Sequence, residues 1–339
     1  MIGVRPAVLL AGVIALFAAT PSSATSWPSP HVDDSAGNPA MQLLEAAAWS
    51  ATVRPWSALQ RVVTVHGGLP RLSAMRVAHQ PGRGTDVTLL SADERGLASD
   101  AQDAALLRVL AGHYEVALAG NQWCNGRLAT LLEARRPDET GQGTVAGRFW
   151  LDNRTGMVLR RDVLDAQGAV VRSTSFDSLT VGSPREQVIS PSSRQLDDSW
   201  LRAMRGQGWP VRASLPGDLE LFDAHLLSEG DDGVLQLSYS DGLSTVSLFV
   251  QQGELSDEPA GTPRPVDGGG TVWVTPGTPE RMVWSGGGRT WTLLSDAPDS
   301  AVHAAVLALP HVPRRVPDST PRRVWRGMSV VGSWLNPFR

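Results

Sequence analysis

Apolar and polar positions alternate most regularly between residues 149 and 181, which read FWLDNRTGMVLRRDVLDAQGAVVRSTSFDSLTV. Three runs rich in apolar and β-branched residues predict strands at 149–152, 157–164 and 169–176. Four-residue turns at 153–156 and 165–168 separate these runs, and each turn ends on the glycine that such turns favour. The pattern therefore predicts a three-stranded antiparallel meander.

Upstream of the meander, the pattern predicts two helices and several strands. One helix begins at Asn38-Pro39, with asparagine as N-cap and proline at the first position, and continues to Ala51. The second helix spans 100–111, with Asp100 as its cap and Gly112 as its stop. Strand-like runs lie at 58–65, 72–78, 86–90, 114–118 and 127–134. Few helices and many strands favour a curved antiparallel sheet over helices, an α+β domain at 35–185.

A polar stretch at 182–193, which contains two prolines, predicts a domain boundary. A helix at 197–205 and a closing helix at 297–309 enclose the strands predicted at 219–224, 234–239, 244–251, 271–274, 280–285 and 290–295. These elements predict a second, smaller α+β domain at 194–309. Within it, Leu235, Leu237 and Tyr239 alternate ahead of Asp241-Gly242, which predicts a hairpin with one apolar face.

The first 24 residues have the pattern of a secretory signal peptide. Arg5 precedes an apolar run at 7–19, and Ser22 and Ala24 follow at cleavage-site spacing. The run is shorter than the roughly 20 residues that span a bilayer. We therefore expect an exported chain at the periplasmic or extracytoplasmic face of the cell envelope.

The C-terminal tail, residues 310–339, differs from the rest of the chain in charge. It has six arginines and one acidic residue, whereas residues 25–309 have a net charge of −10. Val324, Met328, Val331 and Leu335 recur at helical spacing, so a basic amphipathic helix is predicted at 322–335. Such a helix suits an anionic membrane or a partner groove, and a disordered tail is the alternative.

Several classes of chemistry lack the residues they need. The chain contains no lysine, which excludes Schiff-base chemistry and a P-loop. Its single cysteine, Cys124, excludes an internal disulfide and is expected to be buried. The sequence has no HExxH or GxSxG motif, and glycine runs at 268–270 and 286–288 lie between strands, as hairpin turns do. We expect no enzymatic activity, no metal, no cofactor and no nucleic-acid partner.

Segments 114–133, 149–181, 237–250 and 271–309 resemble those of RseB/MucB proteins, the extracytoplasmic regulators of sigma-E-type anti-sigma factors. The lysine-free composition suggests an actinobacterial-type member. The resemblance implies a LolA-like first domain, in which a half-barrel sheet over helices encloses an apolar cavity, and a smaller second domain. It further implies that both domains grip the extracytoplasmic segment of a membrane anti-sigma factor. This grip shields the segment from proteolysis until an envelope-stress signal, such as a misplaced lipid or lipoprotein, releases it.

Candidate site residues follow from this expectation. A concave sheet exposes apolar area to a ligand such as an acyl chain. The candidate lining residues are Leu106, Leu110, Phe149 and Leu151, with a filled core as the alternative. Large aromatic side chains are enriched at protein interfaces, and the candidate partner contacts are Trp200 and Tyr239, with Trp325 and Trp334 in the tail. A LolA-like lipid or lipoprotein carrier is the alternative function.

Overall fold

A computed structural model describes residues 37–66, 69–82, 84–89, 104–137, 143–182, 194–227, 233–277 and 279–312. Within them the chain forms four helices and seventeen strands. The helices are α1 (Pro39–Val53), α2 (Ala104–His113), α3 (Asp198–Gly206) and α4 (Asp299–Ala308). The first eight strands are β1 (Trp56–His66), β2 (Leu69–Gln80), β3 (Gly84–Leu89), β4 (Glu115–Cys124), β5 (Arg127–Arg136), β6 (Thr144–Asp152), β7 (Val158–Leu164) and β8 (Val170–Val181). The others are β9 (Arg194–Gln195), β10 (Ser214–Leu215), β11 (Leu219–Leu226), β12 (Leu235–Ser240), β13 (Thr245–Gln252), β14 (Thr262–Pro265), β15 (Thr271–Thr275), β16 (Glu280–Gly286) and β17 (Arg289–Ser295).

The first eight strands form one antiparallel sheet in the order β3-β2-β1-β8-β7-β6-β5-β4. Strands β6, β7 and β8 are the predicted meander, which is confirmed and extends further, from Thr144 to Val181. Strand β1 pairs with β8, so the first and the eighth strand in sequence order are neighbours in the middle of the sheet. Strand β4 forms one end of the sheet, and among the described strands it pairs with β5 alone.

Helices α1 and α2 pack on one face of this sheet. Asn38 caps α1 as predicted, because its side-chain oxygen accepts from the Ala40 amide at 3.0 Å. Helix α2 continues one residue past the predicted stop at Gly112, since the Tyr114 amide still donates to the Leu110 carbonyl at 2.9 Å. The predicted cap Asp100 lies outside the described residues. The buried side chains of this core are Ala40, Leu44, Ala47, Ala48, Leu107, Leu110, Tyr114, Val116, Leu132, Ala134, Phe149, Leu151, Val158, Val163 and Leu243.

The remaining strands form a second antiparallel sheet. Its order is β10-β11-β12-β13-β17-β16-β15-β14, and β9 pairs with β11. Asp197, predicted as the first residue of this helix, is instead the N-cap of α3, with its carboxylate accepting from the amides of Ser199 at 2.9 Å and Trp200 at 3.0 Å. Helices α3 and α4 contribute Leu201, Met204, Val302 and Val306 to a core that also contains the stacked indoles of Trp284 and Trp291. Two antiparallel sheets with few helices confirm the predicted α+β fold class.

The predicted hairpin is β12–β13, and its apolar face lies in this second core. Its polar face is buried as well, including Gln236, Ser238 and Ser247, which alternation alone did not predict. Both glycine runs lie in hairpin turns as expected, between β14 and β15 and between β16 and β17. The short strands β9, β10 and β14 were not predicted. Two or four residues carry too little periodicity to be recognised as strands.

Candidate binding site

Helix α1 has apolar side chains on two sides. Leu44, at 2% exposure, and Ala47 pack into the first core. Leu43, Trp49 and Val53 remain exposed, and the Trp49 side chain is 69% exposed. A surface helix normally presents polar residues on its outer side. The outer side of α1 therefore offers apolar contact area to another molecule.

A cleft of about 600 Å³ lies beside this outer side of α1, and we term it the α1 cleft. Its helix wall consists of Leu43, Ala46, Trp49, Ser50, Val53 and Arg54. Its sheet wall consists of Thr130, Leu151, Asp152, Asn153, Thr155 and Gly156. A cleft of this size, with a mainly apolar helix wall and a mainly polar sheet wall, suits a small ligand or several side chains of a bound segment.

The polar end of the α1 cleft is held in place by Asp152. The Asp152 carboxylate, which is buried, accepts from Arg127 at 2.9 Å and from the Thr155 hydroxyl at 2.7 Å. Burial alone would raise the pKa of Asp152, but these hydrogen bonds hold it below its usual value. Ser50 and Arg54 both donate to the Thr155 carbonyl oxygen at 3.3 Å. These groups are therefore engaged in fixing the β6–β7 turn against α1.

The exposed apolar surface continues from the α1 cleft to the β4–β5 hairpin. Trp123 and Leu128 lie opposite each other in the register of these strands, and the Trp123 side chain is 76% exposed. The Thr130 hydroxyl, on the cleft wall, donates to the Asn153 side-chain oxygen at 2.8 Å. The Asn153 amide in turn donates to the Leu128 carbonyl at 3.1 Å. Hydrogen bonds thus join the cleft to the tip of the hairpin.

The predicted lining residues occupy two environments. Leu110 and Phe149, each 1% exposed, lie in the core beneath α1 and α2. Leu106 is also buried, and Leu151 is the candidate that lines the α1 cleft. Trp49 of the cleft and Trp123 of the β4–β5 hairpin were missed. Trp49 lies off the buried stripe of α1, and this position was a signal for an exposed aromatic side chain.

The turn between β12 and β13 inserts against α2 and the first sheet, and we term this contact the junction. Leu243 is buried in the first core. A Cβ atom on Gly242 would lie 2.4 Å from the Leu110 Cα atom, and one on Gly147 would lie 2.6 Å from Leu243 Cδ2. Glycine is therefore required at position 242, where the close neighbour is the backbone of α2, whereas at position 147 the end of the Leu243 side chain would have to shift.

Charged and polar groups complete the junction. The Tyr114 hydroxyl donates to the Asp241 carboxylate at 2.7 Å and accepts from Arg136 at 3.0 Å. Burial, together with the neighbouring Asp241, raises the pKa of Tyr114 well above its usual value, so the phenol stays protonated. Arg161 donates to the carbonyl oxygens of Gly242 and Leu243. Burial lowers the pKa of Arg161 to about 10, which leaves it charged at neutral pH.

A buried ion pair between Arg172 of β8 and Asp296, just after β17, forms a second contact between the two sheets. The Asp296 carboxylate also accepts from the Thr245 amide at 2.6 Å. No sequence signal indicated the junction, since its partners are far apart along the chain. The sequence identified the Tyr239-Ser240-Asp241-Gly242 segment only as a hairpin.

The predicted partner contacts also differ in accessibility. Trp200 lies on α3 and is 39% exposed. Tyr239 is fully buried, and its hydroxyl donates to the Arg212 carbonyl at 3.1 Å. A partner could reach Tyr239 only if the second sheet opened. Trp325 and Trp334 lie outside the described residues, so their contacts remain predictions.

Other kinds of site were sought within the described ranges. No three histidine, cysteine, aspartate or glutamate side chains there are placed to hold a metal ion. No helix in the same ranges is both long and apolar enough to cross a membrane. Cys124 is buried, and this burial raises the pKa of its thiol. A protonated, buried thiol packs as a small apolar side chain.

These features define a two-sheet antiparallel α+β protein with an apolar cleft beside its first helix. Residues 61–204 match the family model of the MucB/RseB N-terminal domain. The match covers less than half of the chain, and it confirms the resemblance found in the sequence.

Three solved structures are similar to this chain at low identity. In the MucA/MucB complex of Pseudomonas aeruginosa, the matched chain is 17% identical to this one, with a TM-score of 0.42, and the match covers 82% of this chain and 100% of the matched chain. A structure of MucB is 19% identical, with a TM-score of 0.43 over 79% of this chain and 96% of that chain. A LolA superfamily protein from Nitrosomonas europaea is 10% identical, with a TM-score of 0.19 over 84% of this chain and 98% of that chain. No protein of curated function matches the chain.

Proposed function

We propose that this chain binds the extracytoplasmic segment of a membrane anti-sigma factor and thereby controls its proteolysis in envelope-stress signalling. The observation that carries the proposal is the match of residues 61–204 to the MucB/RseB family. The chain acts by binding and performs no covalent chemistry. It works outside the cytoplasm, where the signal peptide predicted at 1–24 directs it. That segment lies outside the described residues.

The α1 cleft supports this proposal. Trp49 and Trp123 are rigid aromatic side chains with large exposed area, and tryptophan is the residue type most often found to dominate binding energy at interfaces. A partner segment lying across them would bury its apolar side chains against Leu43 and Val53. A segment held in this way is inaccessible to a protease, which needs its substrate extended and free.

The proposal is tested by recovery of the partner and by protection from cleavage. A tagged chain, purified from solubilised membranes of its own host, should recover a single-pass protein encoded beside a sigma factor. The purified chain should then slow protease cleavage of that protein's extracytoplasmic segment. Recovery of unrelated proteins only, or unchanged cleavage, would overturn the proposal.

A matched pair of variants assigns the binding to the α1 cleft. Trp49→Ala removes the most exposed large apolar side chain of the cleft wall and should weaken binding by about tenfold or more. Leu307→Ala removes an exposed apolar side chain from α4, on the other sheet, and should leave binding unchanged. Equal effects of the two variants would remove the α1 cleft from the proposal.

Carriage of a lipid or a lipoprotein acyl chain is the second candidate function, and the apolar side chains of the helix wall of the α1 cleft favour it. A carrier should hold its cargo after purification, since release requires an acceptor. Native mass spectrometry should therefore show a stoichiometric acyl-chain adduct if the chain is a carrier. Protein free of adduct that still binds the anti-sigma segment would exclude this candidate.

A further inference from the structure

Strand β4 is an edge strand of the first sheet, and most of it is exposed on both faces. Its residues 117–123 are all exposed, with Leu118 at 52% and Trp123 at 76% exposure. Its only partner among the described strands is β5. An edge strand presents unpaired amide and carbonyl groups to solvent, and these form a template for another strand.

The β4–β5 turn shows which backbone groups point outward. Asn125 and Gly126 both have positive φ, and Cys124 pairs with Arg127, as in a two-residue type I′ hairpin. The residues that flank such a turn form a hydrogen-bonded pair, and the pairs then alternate. Trp123 and Asn121 therefore belong to non-hydrogen-bonded pairs. Their amides and carbonyls point away from β5.

The same alternation continues past the irregularity between Leu118 and Gly120. Leu118 pairs with Leu132 and Val116 with Ala134. By the alternation along β5, both are non-hydrogen-bonded pairs, so Leu118 and Val116 direct their backbone groups outward. The Val116 carbonyl confirms this assignment, because it accepts from the Asn38 side chain at 2.7 Å. Asn38 thus occupies the edge at Val116. The open part of the edge runs from Leu118 to Trp123.

In the second sheet, the corresponding edge strand is blocked against the addition of another strand. Its terminal strand β14 reads Thr-Pro-Arg-Pro, and proline has no amide to donate to an added strand. Strand β4 has no proline, and residues 116–124 carry no charge. Natural sheets block exposed edges with proline, charge or short length. The open edge at β4 lacks these three devices, and its irregularity between Leu118 and Gly120 lies at one end of the open stretch.

We propose that an extended, uncharged segment of the partner protein adds to β4 as a further strand along residues 118–123. This inference rests on the proposed function and specifies how the anti-sigma segment is held. Main-chain hydrogen bonds to Leu118, Asn121 and Trp123 supply the pairing, and alternate apolar side chains of the segment pack beside Leu118 and Trp123. The short footprint, bounded by Asn38 and by the Asn125–Gly126 turn, fits a linear segment.

A proline variant and its matched control test the inference. Asn121→Pro removes an outward main-chain amide without removing a main-chain hydrogen bond between β4 and β5. Asn121→Ala loses the same side chain, including its hydrogen bond with Thr130, and keeps the amide. The probe is the recombinant extracytoplasmic segment of the anti-sigma factor identified by co-purification. Asn121→Pro should bind the probe about tenfold more weakly than Asn121→Ala, the factor expected for one lost hydrogen bond. Equal binding by the two variants would overturn the inference and leave the proposed function intact.

A measurement on the unaltered chain covers the case in which Asn121→Pro does not fold. Hydrogen exchange at the amides of Leu118, Asn121 and Trp123 should slow when the probe binds. Binding without slower exchange at these amides would overturn strand addition, and absence of binding would overturn the proposed function itself. A dimer of the free chain that Asn121→Pro dissociates would assign the edge to a second copy and would also overturn the inference.

Discussion

The two sheets differ in how much apolar surface they leave exposed. In the first region, residues 37–182, the exposed large apolar side chains are Leu43, Trp49, Val53, Val65, Leu72, Leu118, Trp123, Leu128 and Val170. In the second, residues 194–312, they are Trp200, Leu307 and Val312. Both regions have well-filled cores. The difference therefore reflects surface available for contact and not incomplete packing.

The contrast suggests a division of roles. The first region exposes an apolar cleft and an open edge strand, whereas the second has proline in its terminal strand and buries both faces of β12 and β13. The second region contacts the first through the turn at Asp241-Gly242. Under the proposed function, the first region provides the binding surface, and the second region fixes the position of α2. The following predictions test each side of this comparison.

The largest effect is expected at the junction. Gly242 has φ of +97°, and a Cβ atom there would collide with the Leu110 backbone. Gly242→Ala should therefore lower the free energy of unfolding by about 3 kcal/mol or more, because both strain and overpacking act. Denaturant titration measures this loss. Gly168→Ala is the control, since Gly168 has φ of +81° but open space around it, and should cost only about 1 kcal/mol.

Equal losses in the two glycine variants would show that the junction is loose in solution. The comparison between the regions would then fail, because the second could not position α2. Loss confined to one of two separate unfolding transitions would instead show that the regions fold independently.

A smaller effect is expected from the two tyrosines, which are the only ones in the chain. Tyr114→Phe removes the donor to the Asp241 carboxylate across the junction, and Tyr239→Phe removes a donor to a backbone carbonyl within the second region. Hydrogen bonds to charged groups contribute more, so we expect losses of about 2 and about 1 kcal/mol respectively. Thermal or denaturant unfolding would measure both. A larger loss in Tyr239→Phe would contradict the assigned role of the junction.

Local pattern predicted the strands and helices well, because alternation and capping are properties of neighbouring residues. The β12–β13 hairpin and the Asn38 cap are examples. The contact of Asp241 with Tyr114 could not be predicted, since 127 positions separate the two residues. Tyr239 was expected at an interface although it alternates with Leu235 and Leu237. That alternation correctly indicated the apolar face, which is buried.

A pH effect on stability is expected from His79 in the first region. Burial lowers its pKa, and its ring nitrogens contact the Thr85 hydroxyl and the Thr52 carbonyl, each at 3.0 Å. The unfolded chain therefore takes up a proton near pH 6.5, before the folded chain does. Stability should therefore be lower at about pH 5 than at about pH 8. Unfolding titrations at both pH values should show a smaller loss of stability in His79→Gln than in the unaltered chain. The surface variant His303→Gln should show the full loss. An unchanged loss in His79→Gln would contradict the prediction.

The smallest effect on stability is expected from Trp49→Ala, and this variant tests the binding side of the comparison. The Trp49 side chain is largely exposed, so its removal should change the free energy of unfolding by less than about 0.5 kcal/mol. Leu44→Ala, on the buried side of the same helix, should cost about 3 kcal/mol because it leaves a cavity in the first core. Denaturant titration of both variants compares the two sides of α1 directly. A large loss in Trp49→Ala would mean that the outer side of α1 serves folding, and weaker partner binding by this variant could then no longer be attributed to a lost contact.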